Sequence, residues 1–326
     1  MAGIPVSRVT ELASLEGVGK SYLAAQICAN AQKMNIYPVY FDSESAGDQI
    51  FLEKSGCSLS EMLYVQAVSI EKVFETIEEL LKHNKQYLFV IDSLANCPTE
   101  SDIEGTFNPQ ESMALKARIL SKVFSKLNIP LCDTQSTLLI LNQLKTQLIQ
   151  PDDASPNRQY WTLSQKYTTP GGKSTAYNYS LRIWLTKPNK NDDFVLDEKG
   201  FRIGSSVKAR LIKSRFGSEG RSCEFKIGWG DQIGVLDEES LMDAISSSEY
   251  LETGAWNRLK YSDGTEKVFR SSEWVSLMKE DEKFKNRVME ILDEEIVRKF
   301  NDRTTNASSF YDNNDDVELQ TSTKER

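Results

Sequence analysis

The run Ser14-Leu15-Glu16-Gly17-Val18-Gly19-Lys20-Ser21 puts glycines, a lysine and a hydroxyl between a strand-like apolar stretch and a helical one. A turn of this kind points successive backbone N–H groups at a helix start, where they bind phosphate, and glycine lets the backbone come close. Lys20 then neutralises terminal phosphates and the Ser21 hydroxyl ligates Mg²⁺. The plain alternative is a glycine-rich turn with an exposed lysine, and the flanking strand and helix patterns favour the phosphate site. The strict motif opens on glycine, whereas this sequence has Ser14. Asp92 closes the apolar run Leu88-Phe89-Val90-Ile91, the setting of a carboxylate that holds Mg²⁺ through water. Asp42 and Glu44 follow the strand Val39–Phe41, at the carboxyl end where ligands gather in α/β sheets. Either one can orient and deprotonate an attacking water, and chemistry alone does not choose between them.

Other chemistries are poorly supplied. His83 is the single histidine, which excludes multi-histidine metal centres and leaves a Ser-His-Asp arrangement one base in a polar His-Asn-Lys loop. The cysteines Cys28, Cys57, Cys97, Cys132 and Cys223 show no CxxC spacing, as expected of free thiols in a reducing compartment. Met1–Pro5 lacks the basic start and long apolar stretch of a signal peptide, and no apolar run approaches membrane-spanning length.

Strand and helix patterns must position these groups. Strands are expected at Val9–Ala13, Tyr37–Phe41, Tyr87–Ile91, Leu138–Leu141 and Leu181–Leu185. Helices are expected from Lys20 to Met34, Glu71 to Lys82 and Glu111 to Leu127. Alternating strands and helices, with continuously apolar strands, predict an α/β fold with a mainly parallel central sheet covered on both faces. Residues 207–213 and 222–228 read as an antiparallel pair joined through Gly217 and Gly220. The organisation expected is a core over 1–236, a small α-rich subdomain over 237–301 and a disordered acidic tail over 302–326.

The 326-residue chain has a net charge of −9, which argues against coating nucleic acid through overall positive charge. Basic side chains nevertheless concentrate in the middle: Lys145, Arg158, Lys166, Lys173, Arg182 and Lys187, then Lys208, Arg210, Lys213, Arg215 and Arg221. Residues 145–180 form a long polar stretch with Pro151, Pro156, Pro170, Gly171 and Gly172, and loops this long are usually functional or disordered. Arg158, Tyr160, Trp161, Lys166 and Tyr167 interleave cations with aromatic faces, the composition of a single-strand platform. The competing reading is a solvated loop whose aromatics pack on the core, and Phe107 reads equally as a buried anchor or a contact.

Taken together, Gly3-Ile4-Pro5, Arg8-Val9-Thr10-Glu11-Leu12, Phe41-Asp42-Ser43-Glu44, Ile91-Asp92-Ser93-Leu94, Asn142-Gln143 and Gly171-Gly172 resemble the RecA-type recombinase core, in order and spacing, over residues 3–245. Phe41–Glu44, Asn128-Ile129-Pro130 and Trp256, Trp274 and Phe284 ahead of a closing helix further resemble the UvsX-type recombinases of large phages. The resemblance implies a RecA-like P-loop ATPase core that uses ATP and Mg²⁺. It implies nucleotide contacts at Glu16, Gly17, Val18, Gly19, Lys20, Ser21, Tyr22, Asp48, Phe51 and Asp92, with Phe51 stacking on adenine. Glu44 matches the catalytic glutamate and Gln143 the γ-phosphate sensor; Lys213 and Arg215 match cations that reach a neighbour's ATP. Residues 102–108 and 145–169 match two DNA loops, giving Phe107, Lys145, Arg158, Tyr160, Trp161, Lys166, Tyr167 and the adjacent Lys173 as candidate DNA contacts.

The implied partners are single-stranded DNA, homologous duplex DNA, further copies in a helical filament, and mediator or single-strand-binding proteins, with no membrane. The implied setting is cytoplasmic, the host cytoplasm for a phage protein. An ATP-binding accessory protein and a ring helicase or clock-type ATPase on the same core are the alternatives. Three departures stand out. Ser7 and Ser14 occupy glycine positions, Asp152 and Asp153 lie in the second loop, and the core opens without the family's preceding helix, which packs an apolar motif onto the next subunit.

Overall fold

The computed structural model describes residues 3–44, 49–105, 109–146, 167–187, 194–197, 199–217, 219–229 and 233–298. They divide into two compact units, Gly3–Ser240 and a second from Leu241 onward.

The first unit begins with β1 (Val9–Ser14), α1 (Lys20–Lys33), β2 (Tyr37–Asp42) and α2 (Gln49–Lys54). It continues through β3 (Leu63–Gln66), α3 (Ile70–Leu81), β4 (Tyr87–Asp92), α4 (Glu100–Glu104), α5 (Pro109–Asp133) and β5 (Thr137–Gln143). Then come β6 (Lys145–Thr146), β7 (Tyr167–Thr168), α6 (Gly172–Asn178), β8 (Leu181–Thr186), β9 (Phe194–Leu196), β10 (Arg202–Ser214), β11 (Ser222–Trp229) and β12 (Ile233–Val235). The large sheet runs β3-β2-β4-β5-β1-β8-β10-β11-β12, with β9 also pairing β10. Pairs from β3 to β8 are parallel, and those from β8 through β12 are antiparallel.

Period-two alternation sends successive strand residues to opposite faces. In β4, Phe89 and Ile91 join Val73, Phe74 and Ile77 of α3 and Leu120 and Phe124 of α5 in one core. Leu88 and Val90 point the other way, onto Ala24, Ala25 and Cys28 of α1. Both layers are apolar and buried, which explains why these strands read as continuous apolar runs rather than alternating ones. Helix α3 starts where Ser69 accepts a hydrogen bond from the Lys72 N–H, a cap that satisfies one orphan donor. The described cysteines are all free, and burial pushes the Cys57 and Cys97 thiols up to about 11.

The second unit contains the expected helices together with a small sheet. Helix α7 (Asp237–Ile245) runs into it, followed by β13 (Leu251–Glu252), β14 (Asn257–Lys260) and β15 (Glu266–Phe269), a three-stranded antiparallel sheet. Helices α8 (Trp274–Glu280) and α9 (Glu282–Leu292) close over it, ending in a π-helical stretch at Asp293–Arg298. Phe269, Trp274 and Phe284 pack ring against ring at 5.2–5.8 Å in this core. The strands are two to four residues long, too short for a periodicity. Asp263-Gly264 was the available hairpin signal.

Candidate nucleotide site

Strand β1 delivers the phosphate loop. Ser14 is buried in regular strand, paired with Gln143 of β5 and Leu185 of β8, so its backbone does not require glycine. The turn then needs left-handed residues, supplied by Gly17 at φ 67° and Gly19 at φ 104°. Gly19 is constrained twice over, since a Cβ there would sit 2.5 Å from Ile227 Cδ1 on β11. Gly19 also caps α1, no side chain occupies the cap, and the first turn carries no acidic residue. These free N–H groups and the positive end of the helix favour an anion. Lys20 is half-buried at this end, and the Val18 side chain is buried, leaving its backbone to face a ligand.

The carboxylates lie across neighbouring strand ends, with Asp42 and Asp92 in register on β2 and β4. Asp92 Oδ2 accepts from Ser21 Oγ at 2.9 Å and from the Tyr40 hydroxyl at 2.6 Å. Burial raises the Asp92 carboxyl above its ordinary range, against the lowering effect of these two hydroxyls. The Ser21 hydroxyl and Asp92 carboxylate form the sparse oxygen donor set that Mg²⁺ uses when phosphates and waters complete its shell. No cluster of three or more acidic, histidine or cysteine ligands exists among the described residues, so an all-protein metal cage is not their arrangement.

Asp42 and Glu44 differ in their surroundings. Asp42 is buried, accepts from the Glu44 backbone N–H at 2.9 Å and takes a short bond from the Tyr64 hydroxyl. Glu44 is exposed, and its Oε1 accepts from Asn96 Nδ2 at 2.8 Å, Ser93 Oγ at 3.0 Å and Gln143 Nε2 at 3.4 Å. Asp42 is thus tied into the scaffold, while Glu44 is oriented at the surface. Ser43 fastens the same corner, its hydroxyl donating to the Ser93 carbonyl at 2.8 Å. Sequence reasoning missed Tyr40, Ser93 and Asn96. The alternation within Tyr37–Asp42, which turns Tyr40 toward the α1 face, was the signal for the first; the others have none in their residue types.

Phe51 of α2 packs edge-on against Tyr22 at 4.9 Å, so these two candidate contacts meet. Asp48 lies outside the described residues. Lys213, near the end of β10, and Arg215, in the turn that follows, converge on one target. Lys213 Nζ donates to the Ala176 and Tyr177 carbonyls, both at 2.9 Å, and Arg215 Nη2 to the Tyr177 carbonyl at 2.6 Å. Within the single chain these cations therefore cap the carbonyl end of α6. Burial, then Arg215 and Arg182, lower the Lys213 ammonium below its ordinary value.

Among the candidate DNA contacts, Lys145 is exposed on β6, which pairs with β7 to close the base of the second loop. Tyr167 is half-buried against Leu144 and Trp184, the anchoring alternative for a loop aromatic. Lys173 lies in α6. Phe107, Arg158, Tyr160, Trp161 and Lys166 lie outside the described residues. One basic residue is reassigned: Arg182, counted with the basic middle segment, turns inward to pair with fully buried Glu11 at 2.6 Å. It cannot belong to a solvated cationic surface.

Residues 1–234 match the RecA N-terminal domain. The chain is 30% identical over 290 residues to Protein RecA of Chlorobaculum tepidum, covering 88% of this chain and 77% of that protein. It is 28% identical over 290 residues to Protein RecA of a Sulfurovum species, with the same coverage. Against Protein RecA of Leptospira meyeri, identity is 28% over 276 residues, 84% of this chain and 65% of the relative. The chain belongs to the RecA family, whose members are ATPases of DNA recombination and repair.

Proposed function

We propose that this chain is a DNA-dependent ATPase that assembles on single-stranded DNA as a helical filament and promotes homologous pairing and strand exchange. The observation that carries this reading is the convergence of Ser21 with Asp92 and of Gln143 with Glu44 at adjacent strand ends. Backbone N–H groups of residues 15–21 hold the phosphates of ATP, and Lys20 neutralises the terminal ones. Ser21 and Asp92 would hold Mg²⁺, which would supply charge screening for the phosphates. Glu44 takes a proton from the water whose oxygen attacks the γ-phosphorus as the bond to the ADP oxygen breaks. Gln143, at the end of β5, links that centre to the second DNA loop. Lys213 and Arg215 exchange their carbonyl partners for a neighbour's γ-phosphate, so the site is completed between subunits. Lys145 and the cation–aromatic run from Arg158 to Tyr167 track the strand, with Phe107 and Lys173 beside it. The motifs Phe41–Glu44, Asn128–Pro130 and the Trp256, Trp274, Phe284 series support a UvsX-type member working in cytoplasm, with mediator and single-strand-binding proteins as partners.

Electron microscopy with ATP and single-stranded DNA, paired with turnover assays, tests this. Regular filaments and DNA-stimulated hydrolysis are expected. Lys20→Ala should abolish nucleotide binding or turnover, while Glu44→Gln should keep binding and lose hydrolysis by about 10²-fold or more. Normal turnover in Glu44→Gln with loss in Asp42→Asn would reverse the choice of base. ATP binding without filaments would point to an accessory protein, and unwinding without filaments to a helicase.

A further inference from the structure

A lysine outside every motif reaches the same catalytic corner. Lys116 of α5 donates to the Ala95 carbonyl at 3.0 Å and to the Cys97 carbonyl at 2.6 Å. Those two carbonyls flank Asn96, whose amide holds Glu44 Oε1 at 2.8 Å. The turn has little other freedom. Ser93 N–H donates to Ser43 Oγ at 2.8 Å, and Leu94 N–H to the Leu141 carbonyl at 3.0 Å. The Asn96 and Cys97 N–H groups donate to the Ser93 carbonyl at 3.2 and 3.3 Å, and Lys116 holds the two carbonyls on either side of residue 96.

Its surroundings connect it to the two segments assigned to DNA above. Helix α5 follows residues 102–108, and Asp102 acts on the Lys116 charge from that side. The Leu94–Leu141 bond ties the turn to β5, which leads to Lys145 at the mouth of the second loop, and the Lys145 charge adds a repulsion smaller than the effect of burial. Burial depresses the ammonium below its ordinary value, so it is poorly hydrated and depends on its carbonyl partners. A phosphate neutralising Lys145 would remove a repulsion from Lys116 and strengthen its hold on residues 95–97.

We propose that Lys116 and Asn96 are positioning residues that carry DNA occupancy to the Glu44 carboxylate. This rests on the DNA-dependent ATPase reading and names a route for its regulation. The route runs from the Lys145 side of the DNA surface through the Lys116 ammonium and the 95–97 turn to the Asn96 amide.

The experiment measures ATP turnover with and without single-stranded DNA, the KM for ATP and the DNA affinity. Variants are Lys116→Met, Lys116→Arg, Asn96→Ala and the double variant Lys116→Met/Asn96→Ala, each checked by thermal unfolding. Lys116→Met should lower the ratio of DNA-stimulated to DNA-free turnover about tenfold, since small misplacements of a catalytic group are costly. The KM for ATP and the DNA affinity should stay within about twofold. Asn96 is exposed, so Asn96→Ala should fold and reproduce the loss. The double variant should be no worse than the poorer single one, because one chain of contacts is cut twice. Lys116→Arg should restore most of the ratio. Full stimulation in Asn96→Ala, multiplicative losses in the double variant, or a fall explained by weaker DNA binding would overturn the proposal. Wild-type turnover indifferent to DNA would instead overturn the ATPase reading itself, before any variant is compared.

Discussion

Ser7 and Ser14 both stand where the family resemblance expects glycine, yet their backbones demand opposite things. Ser7 sits at φ 64°, in the left-handed region, where a Cβ costs about 1–2 kcal/mol. Ser7→Gly relieves that strain against an unfolded-state entropy cost of about 0.5–1 kcal/mol, leaving a small net gain. Ser14→Gly should lose about 1 kcal/mol, because regular strand gains nothing from glycine. Thermal unfolding should show Tm rising by a few degrees for the first variant and falling for the second. Equal shifts of one sign would contradict the assignment. The phosphate loop and Asp92 were legible because their chemistry fixes residue types at fixed spacing. The choice between Asp42 and Glu44 was not, because it depends on what each carboxylate touches. Tyr64 and the Glu44 N–H engage Asp42, whereas Ser93 and Asn96 from the turn after β4 and Gln143 from the end of β5 reach Glu44.

At the scale of elements, an ion pair inside the sheet ties the second loop to the strand bearing the phosphate loop. Glu11 on β1 is fully buried and accepts from Arg182 on β8 at 2.6 Å and from Asn142 on β5 at 3.1 Å. Arg182 also donates to Thr169 Oγ1 at 3.0 Å, and Asn142 to the Pro170 carbonyl at 3.2 Å. The C-terminal end of the long loop is thus anchored on one carboxylate through two side chains. Removing either member leaves the other buried and uncompensated, so Arg182→Met should cost about 3–5 kcal/mol. Joint replacement, Glu11→Leu with Arg182→Met, should recover most of that, since a well-packed apolar pair often equals a buried ion pair. Denaturant midpoints decide, and a double variant as unstable as the single one would mean the pair is not acting as a unit. The strands themselves were readable from apolar runs. Short β3, β9 and β12 were not, because three or four residues carry too little pattern to separate from a loop.

For the whole molecule, charge is distributed unevenly. The net charge of −9 coexists with a basic middle, and Asp312, Asp315, Asp316 and Glu318 gather at the end of the chain. A polyanionic segment competes with DNA phosphates for the same cations, with an effect that fades as salt shortens the screening length. Deleting residues 311–326 should tighten single-stranded DNA binding several-fold at low salt, with the curves converging at high salt. Identical affinities across a salt series would leave the segment a solubiliser. Fold class was the most legible property at this scale, since strand–helix alternation over some two hundred residues admits few arrangements. The small sheet of the second unit escaped because its strands contribute only Leu251, Leu259 and Phe269 to the buried core, too few for a period-two pattern.

Two contacts of the phosphate loop and its helix are made late in the chain. Ile227 lies against Gly19, and Gln26 Oε1 accepts from the Val235 N–H across a separation of 209 residues. On a ribosome adding about 5–20 residues per second, that separation is on the order of 10–40 s of synthesis. During this interval the growing chain holds the whole Gly17–Ser21 run but neither β11 nor β12 to brace it. A nascent chain stalled before Ser222 should therefore carry the phosphate-loop residues and fail to retain nucleotide, making ATP capture a mark of completed translation of the core.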